Sequence, residues 1–408
     1  MLRNGVLAIV QAGGEGSRMD VLTRERAKPA LPFAGIYQLV DFPMSNLLHS
    51  GIEDVWLSVQ YQANSLDEQI SNGRPWDLDR DSGGFRLLMP QQGGSPDSDG
   101  FASGNADGLF RIRDEIAASR AEITLVLSSD HVYRFDYTAA IRTHRSKKAE
   151  CTVVTSEVPI EEAGHHATVV ANRQGRVTDF AYKPDEPRTS VVATEIFVYD
   201  TKTLVRLLDE LHRELCAPSD ADGNGLGDFG EHLLPRLMQR GKVYAHAMTG
   251  YWRDLGRPET YLAAHQDLVR GQTNLFDDRD WPIVARLPQR SPARIHAEAR
   301  IAGGLVSPGC EVSGVVRESV LGPGVVVEAG ARISNSVLFA DVVVCRDASI
   351  AGAVVDRGTV VGDGARIGGR PTSRLLSSEQ IALVGRDSRV AAGSVVPRGS
   401  RLEPGTTT

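Results

Sequence analysis

No stretch of the sequence approaches the roughly 18 consecutive apolar residues of a membrane-crossing helix, which excludes a spanning segment. Nor is a cleavable leader expected: the opening MLRNGVLAIVQAGG runs from a short apolar stretch straight into a glycine turn and shows no small-residue cleavage site, unlike a signal peptide. By elimination the cytoplasm is the expected compartment. Paired cysteines are absent too. Cys151, Cys216, Cys310 and Cys345 stand far apart with no CxxC spacing, so neither a zinc site nor a disulfide framework is expected, and the thiols should be reduced and mostly buried. Nor is there a basic excess. Lys and Arg number 45 against 52 Asp and Glu, a net charge of −7, which speaks against nucleic-acid binding through a general cationic surface. Any anionic ligand must find its cations locally.

What is present is a globular composition, 41% hydrophobic and 24% charged with 41 Gly and 20 Pro, in a chain of 408 residues that is too long for one ordinary core. Two or three domains follow. From Val6 to Asp200 short aliphatic runs alternate with helix-like segments: Val6–Val10, Val55–Val59, Thr124–Leu127, Cys151–Thr155 and Ile196–Tyr199. This rhythm predicts an α/β domain with a mainly parallel sheet. Residues 84–110, rich in Gly, Ser and Asp, read as a functional or mobile loop. Helical spacing returns over Asp228–Met238 and Pro258–Val269.

The last third follows another rule. Leu321, Val327 and Ile333 are six apart, and the triplet recurs after seventeen residues as Leu338, Val344, Ile350 and again as Val355, Val361, Ile367; Val384, Val390 and Val396 resume the step after an insertion. A six-residue unit with one inward aliphatic and small turn residues makes one flat side of a three-sided parallel β-helix. Evenly spaced sandwich strands would not hold that register.

Local chemistry starts at Gly13-Gly14-Glu15-Gly16-Ser17-Arg18, directly after the first apolar strand. Glycines let backbone N–H groups curl round phosphate oxygens, and an arginine adds a fork of donors. Met19 stands where a Rossmann fingerprint needs its third glycine, and no Walker GK[ST] is present, so the loop alone is weak. Lys28 sits before the rigid Pro29-Ala30-Leu31-Pro32 turn. Asp130 follows the Ile123–Leu127 run, at a strand's carboxyl end where open α/β sheets bind ligands, although an Asp there also suits a helix cap. Asp254 follows Tyr251-Trp252. Magnesium is commonly held by one or two carboxylates plus substrate phosphates, and two such Asp residues suit it.

The segments GGEGSRM, RAKPALPF, DFPMSN, VQYQ, SSDHVYRFDY, PIEEA, KPDEP, DFGEHLLP and YWRDLGRPETY, in that order, resemble those of bacterial glucose-1-phosphate adenylyltransferases, within the sugar-1-phosphate nucleotidylyltransferases. With the hexapeptide coils the likeness covers nearly the whole chain. It implies a Rossmann-like, GT-A-like catalytic domain over residues 1–275, a linker over 276–300 and a left-handed parallel β-helix over 301–408. The implied reaction takes ATP and glucose 1-phosphate to ADP-glucose and pyrophosphate with Mg2+, for glycogen or another α-glucan. Gly13, Gly14, Gly16 and Arg18, with Gly104 of the SGNADG segment, are implied to bind the nucleotide, and Lys28 to face the reacting phosphates. Asp130 and Asp254 would hold the metal, and Lys183 the sugar phosphate beside Tyr182 and Glu195. A homotetramer is implied, as is a phosphorylated-metabolite effector; Arg3, Arg24 and Arg26 are cations near the start, but solvated surface charge is the preferred reading for them. No nucleic-acid or membrane partner is expected.

Several positions depart from the family pattern: Tyr182 replaces the Glu of EKP, Glu195 a strand Gly, and Ser103, Asn105 and Ser129 alter segments near the nucleotide. Another hexose or nucleotide therefore stays open, as does a non-catalytic regulatory subunit, although Arg18, Lys28, Asp130, Lys183 and Asp254 are all present. An acyltransferase on the coils would need a histidine base, and none follows His296, so the coils read as structural.

Overall fold

The computed structural model describes residues 5–90, 101–215, 225–273, 275–369 and 376–408. Each apolar run of the first half is a strand of one nine-stranded sheet. Its nucleus is parallel, with Gly84–Leu88, Asp54–Val59, Val6–Ala12 and Ile123–Ser128 side by side. Beyond Ile123–Ser128 the Val191–Asp200 strand enters antiparallel and leads into Cys151–Glu157, Ala167–Ala171 and Val177–Tyr182. Alternation decides the faces. Val6, Ala8 and Val10 join a core with Met44, Leu47, Ala140 and Ile141, whereas Leu7 and Ile9 join a second core with Leu204, Leu207, Leu208 and Leu211. The last four return at the 3,4-spacing of one helical stripe, so Thr201–Leu215 covers that face.

Two local expectations are corrected. Within residues 84–110, Gly84–Leu88 is an edge strand and Asn105–Arg111 a helix, because the FRLL run finds a partner in Asp54–Val59; residues 91–100 lie outside the described residues. The helix expected over Asp228–Met238 spans Leu233–Arg240 and stops at the left-handed Gly241, since Asp228, Phe229 and Gly230 are turned into the cavity described below.

The coils keep the register of the sequence period. Leu321, Leu338, Val355 and Val384 pair in sequence on one face, Val327, Val344, Val361 and Val390 on a second, and Ile333, Ile350, Ile367 and Val396 on the third, all through parallel pairing. All twelve side chains share one dry core. The first rung is Arg294–Ile295, which already pairs with Glu311–Val312 inside the stretch read as linker. Cys151 and Cys310 are buried free thiols, Cys345 is half-buried, and Cys216 lies outside the described residues. Among the described residues no helix is long and apolar enough to cross a membrane.

The outward side of one face, with Val320, Val337, Phe339, Val354 and Leu383, packs on Tyr261, Leu262 and Ala264 of the Pro258–Val269 helix. Arginines clasp the same contact. Arg26 is buried, and its guanidinium donates to both Asp356 oxygens at 2.9 Å, so the surface-charge reading fails for it. Arg24 is exposed and bonds Asp20 and Glu403, while Arg401 reaches the other Asp20 oxygen at 3.1 Å; Arg3 lies outside the described residues. Removing one partner of a buried pair strands the other charge, so Arg26→Met should cost about 3–5 kcal/mol in urea unfolding, and Arg26→Met with Asp356→Leu should recover most of it. A single variant as stable as the parent would deny the pair that role.

Candidate active site

The site is built where parallel strands end. Ala12 pairs with Val59 and Gln11 with Ser128, so Gly13, Gln60 and Ser129 leave the sheet along one edge. An added Cβ at Gly13 would lie 2.6 Å from Gln60 Nε2, whereas one at Gly14 would meet nothing within 4 Å. The first glycine permits close approach and the second leaves the backbone open to a ligand. Gly16 stands behind the cavity lining that Gly13, Gly14, Glu15 and Arg18 form. With φ of 75° it makes the turn before Ser17–Thr23, and its α-carbon side faces Thr23 and the Lys28 stem.

All the other predicted positions line one cavity of about 400 Å³: Gly13, Gly14, Arg18, Lys28, Gly104, Asp130, Tyr182, Lys183, Glu195 and Asp254. Asp130 and Asp254 meet through a short ladder. His131–Tyr133 pairs antiparallel with Trp252–Asp254, and Asp254 stands directly opposite His131. Asp130 accepts from the Lys28 ammonium through one oxygen and from the Ser128 hydroxyl through the other. Asp130, His131 and Asp254 bring ligand atoms within 4.8 Å of one another.

Two observations show that this set fits a cation. Asp254 Oδ1 is buried with no hydrogen-bond partner, although such an acceptor normally has one. A Cβ added at Gly256 would lie 2.9 Å from that oxygen, 3.2 Å from Lys28 Nζ and 3.5 Å from an Arg18 guanidinium nitrogen, so glycine keeps open the point where they converge. Burial works against the Lys28 charge, but Asp130 and Asp254 outweigh it and raise its pKa. Burial likewise opposes ionisation of Asp130, and Lys28 and His131 overcome it, holding the carboxyl well below its usual range. Charged cation and charged carboxylate therefore coexist in the buried cleft.

Elsewhere in the cavity Tyr182 donates its hydroxyl to Asp228 at 2.6 Å and receives the Lys183 ammonium at 2.8 Å. Lys183 is exposed at φ of 47°, held by its backbone N–H on His166 O at 3.2 Å. Gly230 makes room for the ring, since a Cβ there would lie 2.1 Å from Tyr182. Gly104 is required by the 227–228 backbone, 2.3 Å from where its Cβ would fall. Asn105 accepts from Phe229 N–H at 2.8 Å and the Ser129 hydroxyl is turned to Gln11 O, so these two departures from the family pattern brace the walls, whereas Ser103 bonds Asp107 through its backbone N–H, which any non-proline residue there would supply.

Glu195 stands at φ of 56° where the pairing of Val191–Asp200 with Cys151–Glu157 shifts register between Ala193 and Phe197. That backbone region favours glycine. Burial raises the Glu195 carboxyl, His131 draws it down, and Asp130 and Asp254 push it up, for a net rise. His131, His166, Gly230 and Gly256 were not singled out from the sequence; the first follows Asp130 in the DHVY segment and the last lies two residues after Asp254.

A nucleotidyl transferase family model matches residues 7–271, and a GlmU-like C-terminal hexapeptide model matches 291–375. Fold and site together define a nucleotidyltransferase carrying a β-helix. Among curated relatives, the glucose-1-phosphate adenylyltransferase of Desulforamulus reducens is 31% identical over 98% of this chain and 99% of its own length. That of Bacillus cereus strain Q1 is 35% identical over 88% and 94%, and that of Thermotoga neapolitana 38% identical over 80% and 75%. The chain belongs to the glucose-1-phosphate adenylyltransferase family.

Glu195→Gly should relieve a left-handed backbone that costs a non-glycine residue about 1–2 kcal/mol and remove a carboxylate crowded by two others, raising the thermal midpoint by about 2 °C. Calorimetry reads it. A lowered midpoint would mean that Glu195 is held by contacts that outweigh the strain.

Proposed function

We propose that this nucleotidyltransferase joins ATP to glucose 1-phosphate, releasing pyrophosphate and ADP-glucose, in the cytoplasmic synthesis of glycogen or another α-glucan. The observation that carries the reading is the convergence of Arg18, Lys28 and Asp254 on Gly256, beside Asp130 and the open backbone of Gly14. Two cations and an acceptor left without a partner make a place for a triphosphate and its counter-ion. Gly13 and Gly14 offer backbone, Arg18 forks to phosphate oxygens, and Lys28 leaves Asp130 for the reacting phosphates. Asp130 and Asp254 would hold Mg2+, which supplies neutralisation of the charge that builds on the leaving oxygens.

Lys183, steadied by the Tyr182 hydroxyl, takes the sugar phosphate. No side-chain base is required, because a phosphate monoester has a second pKa near about 6 and is already largely dianionic at neutral pH. Its oxygen attacks the α-phosphorus in line while the chain's residues hold the two partners in register. A non-catalytic subunit would have little reason to keep Arg18, Lys28, Asp130, Lys183 and Asp254 around one cavity. A second reading concerns the hexose alone: Tyr182 engaged with Asp228, and the extra carboxylate of Glu195, favour a sugar other than glucose. Four chains joined through the coils, under a phosphorylated effector, complete the family reading.

A panel of ATP, UTP, GTP and dTTP against several hexose 1-phosphates, followed by pyrophosphate release, decides among these. ATP with glucose 1-phosphate should be fastest; a faster hexose would establish the second reading, and a faster nucleotide would overturn both. Asp130→Asn and Asp254→Asn should each remove nearly all turnover with circular dichroism unchanged, as expected where several kcal/mol of charge stabilisation is lost. Lys183→Ala deletes charge-assisted hydrogen bonds worth roughly 1.5–3 kcal/mol each, so KM for the sugar phosphate should rise about ten- to a hundredfold with kcat and the KM for ATP little changed. A normal sugar KM with impaired ATP binding would exchange the two pockets.

A further inference from the structure

The turn that carries Arg18 is tied to the far end of the chain. Met19 N–H and the Thr23 hydroxyl both donate to Gly16 O at 2.8 Å and close the turn locally. Three successive side chains then part ways: Arg18 lines the cavity, Met19 is buried in the apolar contact with the coils, and Asp20 reaches the last coil. Asp20 is the pivot. Its φ of 54° and ψ of −129° belong to a region that glycine usually occupies, and an L side chain persists there only when its surroundings hold it.

Two arginines hold it. Asp20 Oδ1 accepts from Arg24 at 3.1 Å and Oδ2 from Arg401 Nε at 3.1 Å. Arg24 in turn forks onto both Glu403 oxygens, each at 3.2 Å, so two cations and two carboxylates join the turn to the last coil. Arg401 is itself locked. Its Nη1 lies 2.6, 3.0 and 3.2 Å from the carbonyl oxygens of Ile381, Gly399 and Ser400, and its Nη2 lies 2.9 Å from Ser378 O and 3.2 Å from the Ser378 hydroxyl. Both terminal nitrogens fix the guanidinium plane to the coil, and Nε crosses to the catalytic half.

An ion pair whose side chains are 25% and 32% exposed adds little to stability, but one partner locked onto a rigid rung is well suited to fixing a position. Arg18 needs such a fix. It is exposed, so its aim is set by the turn beneath it rather than by packing round its head, and that turn brings its guanidinium to the point at Gly256 where Lys28 and Asp254 converge. We propose that Arg401 is a positioning residue for ATP: by clamping Asp20 it sets the turn that aims Arg18 at the triphosphate, so the last coil is a working part of the nucleotide half of the site. The proposal rests on the reading above that Arg18 takes the triphosphate. The sugar half is placed by other backbone, since Lys183 follows Val177–Tyr182, a strand fixed by its pairing with Ala167–Ala171.

Initial rates of the full-length chain, with MgATP and glucose 1-phosphate varied in turn, test this. Arg401→Met should raise KM for ATP at least about fivefold and leave KM for the sugar phosphate within about twofold. Asp20→Asn cuts the same link from the other side, because its amide turns a donor toward one of the two arginines while every bond from Arg401 to the coil stays in place. It should reproduce the shift, and it decides the matter by itself should Arg401→Met fail to fold. Since the effect runs through Arg18, it should vanish where Arg18 is gone: Arg18→Met, with and without Arg401→Met, should give the same KM for ATP within about twofold. A further rise in that double variant would overturn the proposal, as would a joint rise in both KM values with a lowered thermal midpoint, the mark of a clasp that only holds the fold. An unchanged KM for ATP in Arg401→Met and Asp20→Asn, alongside a raised one in Arg18→Met, would also overturn it and leave the triphosphate reading standing. Should Arg18→Met itself leave KM for ATP unchanged, that reading falls and the proposal with it.

Discussion

Carboxylates cannot be gathered in a buried cleft without positive charge between them, and the architecture of the catalytic half follows from that constraint. Asp130, Asp254 and Glu195 come from three separate stretches of chain, and Lys28 and Arg18 from a fourth. Each is brought in by backbone that is already committed elsewhere: a parallel strand end, a three-residue ladder, a register shift and a glycine turn. Lys28 is the counter-charge that lets the set exist before any ligand arrives. Its buried pairing with Asp130 keeps both groups ionised, so the site waits in the charge state it uses.

Much of this was legible in the sequence because it is local. Strands buried on both faces announce themselves as apolar runs, and all five runs are strands. The coils were more legible still, since a seventeen-residue recurrence permits one stacking register and the twelve inward aliphatics share one core. The glycine loop, Lys28, Asp130 and Asp254 were readable as types of residue in a known order, and Gly13, Gly14, Lys28 and both aspartates line one cavity.

What escaped was set by pairing across long separations, which no local pattern encodes. The register that puts Asp254 opposite His131 is one example, and the contact of Tyr182 with Asp228 is another. The turn that Gly16 makes with its positive φ was likewise not readable from a glycine run alone. Arg26 looked like surface charge because arginine usually is; a carboxylate 330 positions later buries it. Asp228–Gly230 failed as helix because the cavity needs them as wall.

The clasp between Asp20 and the final coil has a consequence in time. Arg401 bonds Asp20 across 381 positions and Glu403 bonds Arg24 across 379, and Asp20 itself sits at φ of 54° and ψ of −129°, a conformation that needs outside support. Chains leave the ribosome at about 5–20 residues per second, so the segment carrying Asp20 emerges about 20–80 s before its partners are made. The loop that Arg18 occupies must spend that interval without its brace. These distant rungs are therefore the ones that finish the first turn, and vectorial synthesis defers completion of the loop that carries Arg18 until Arg401 and Glu403 are in place.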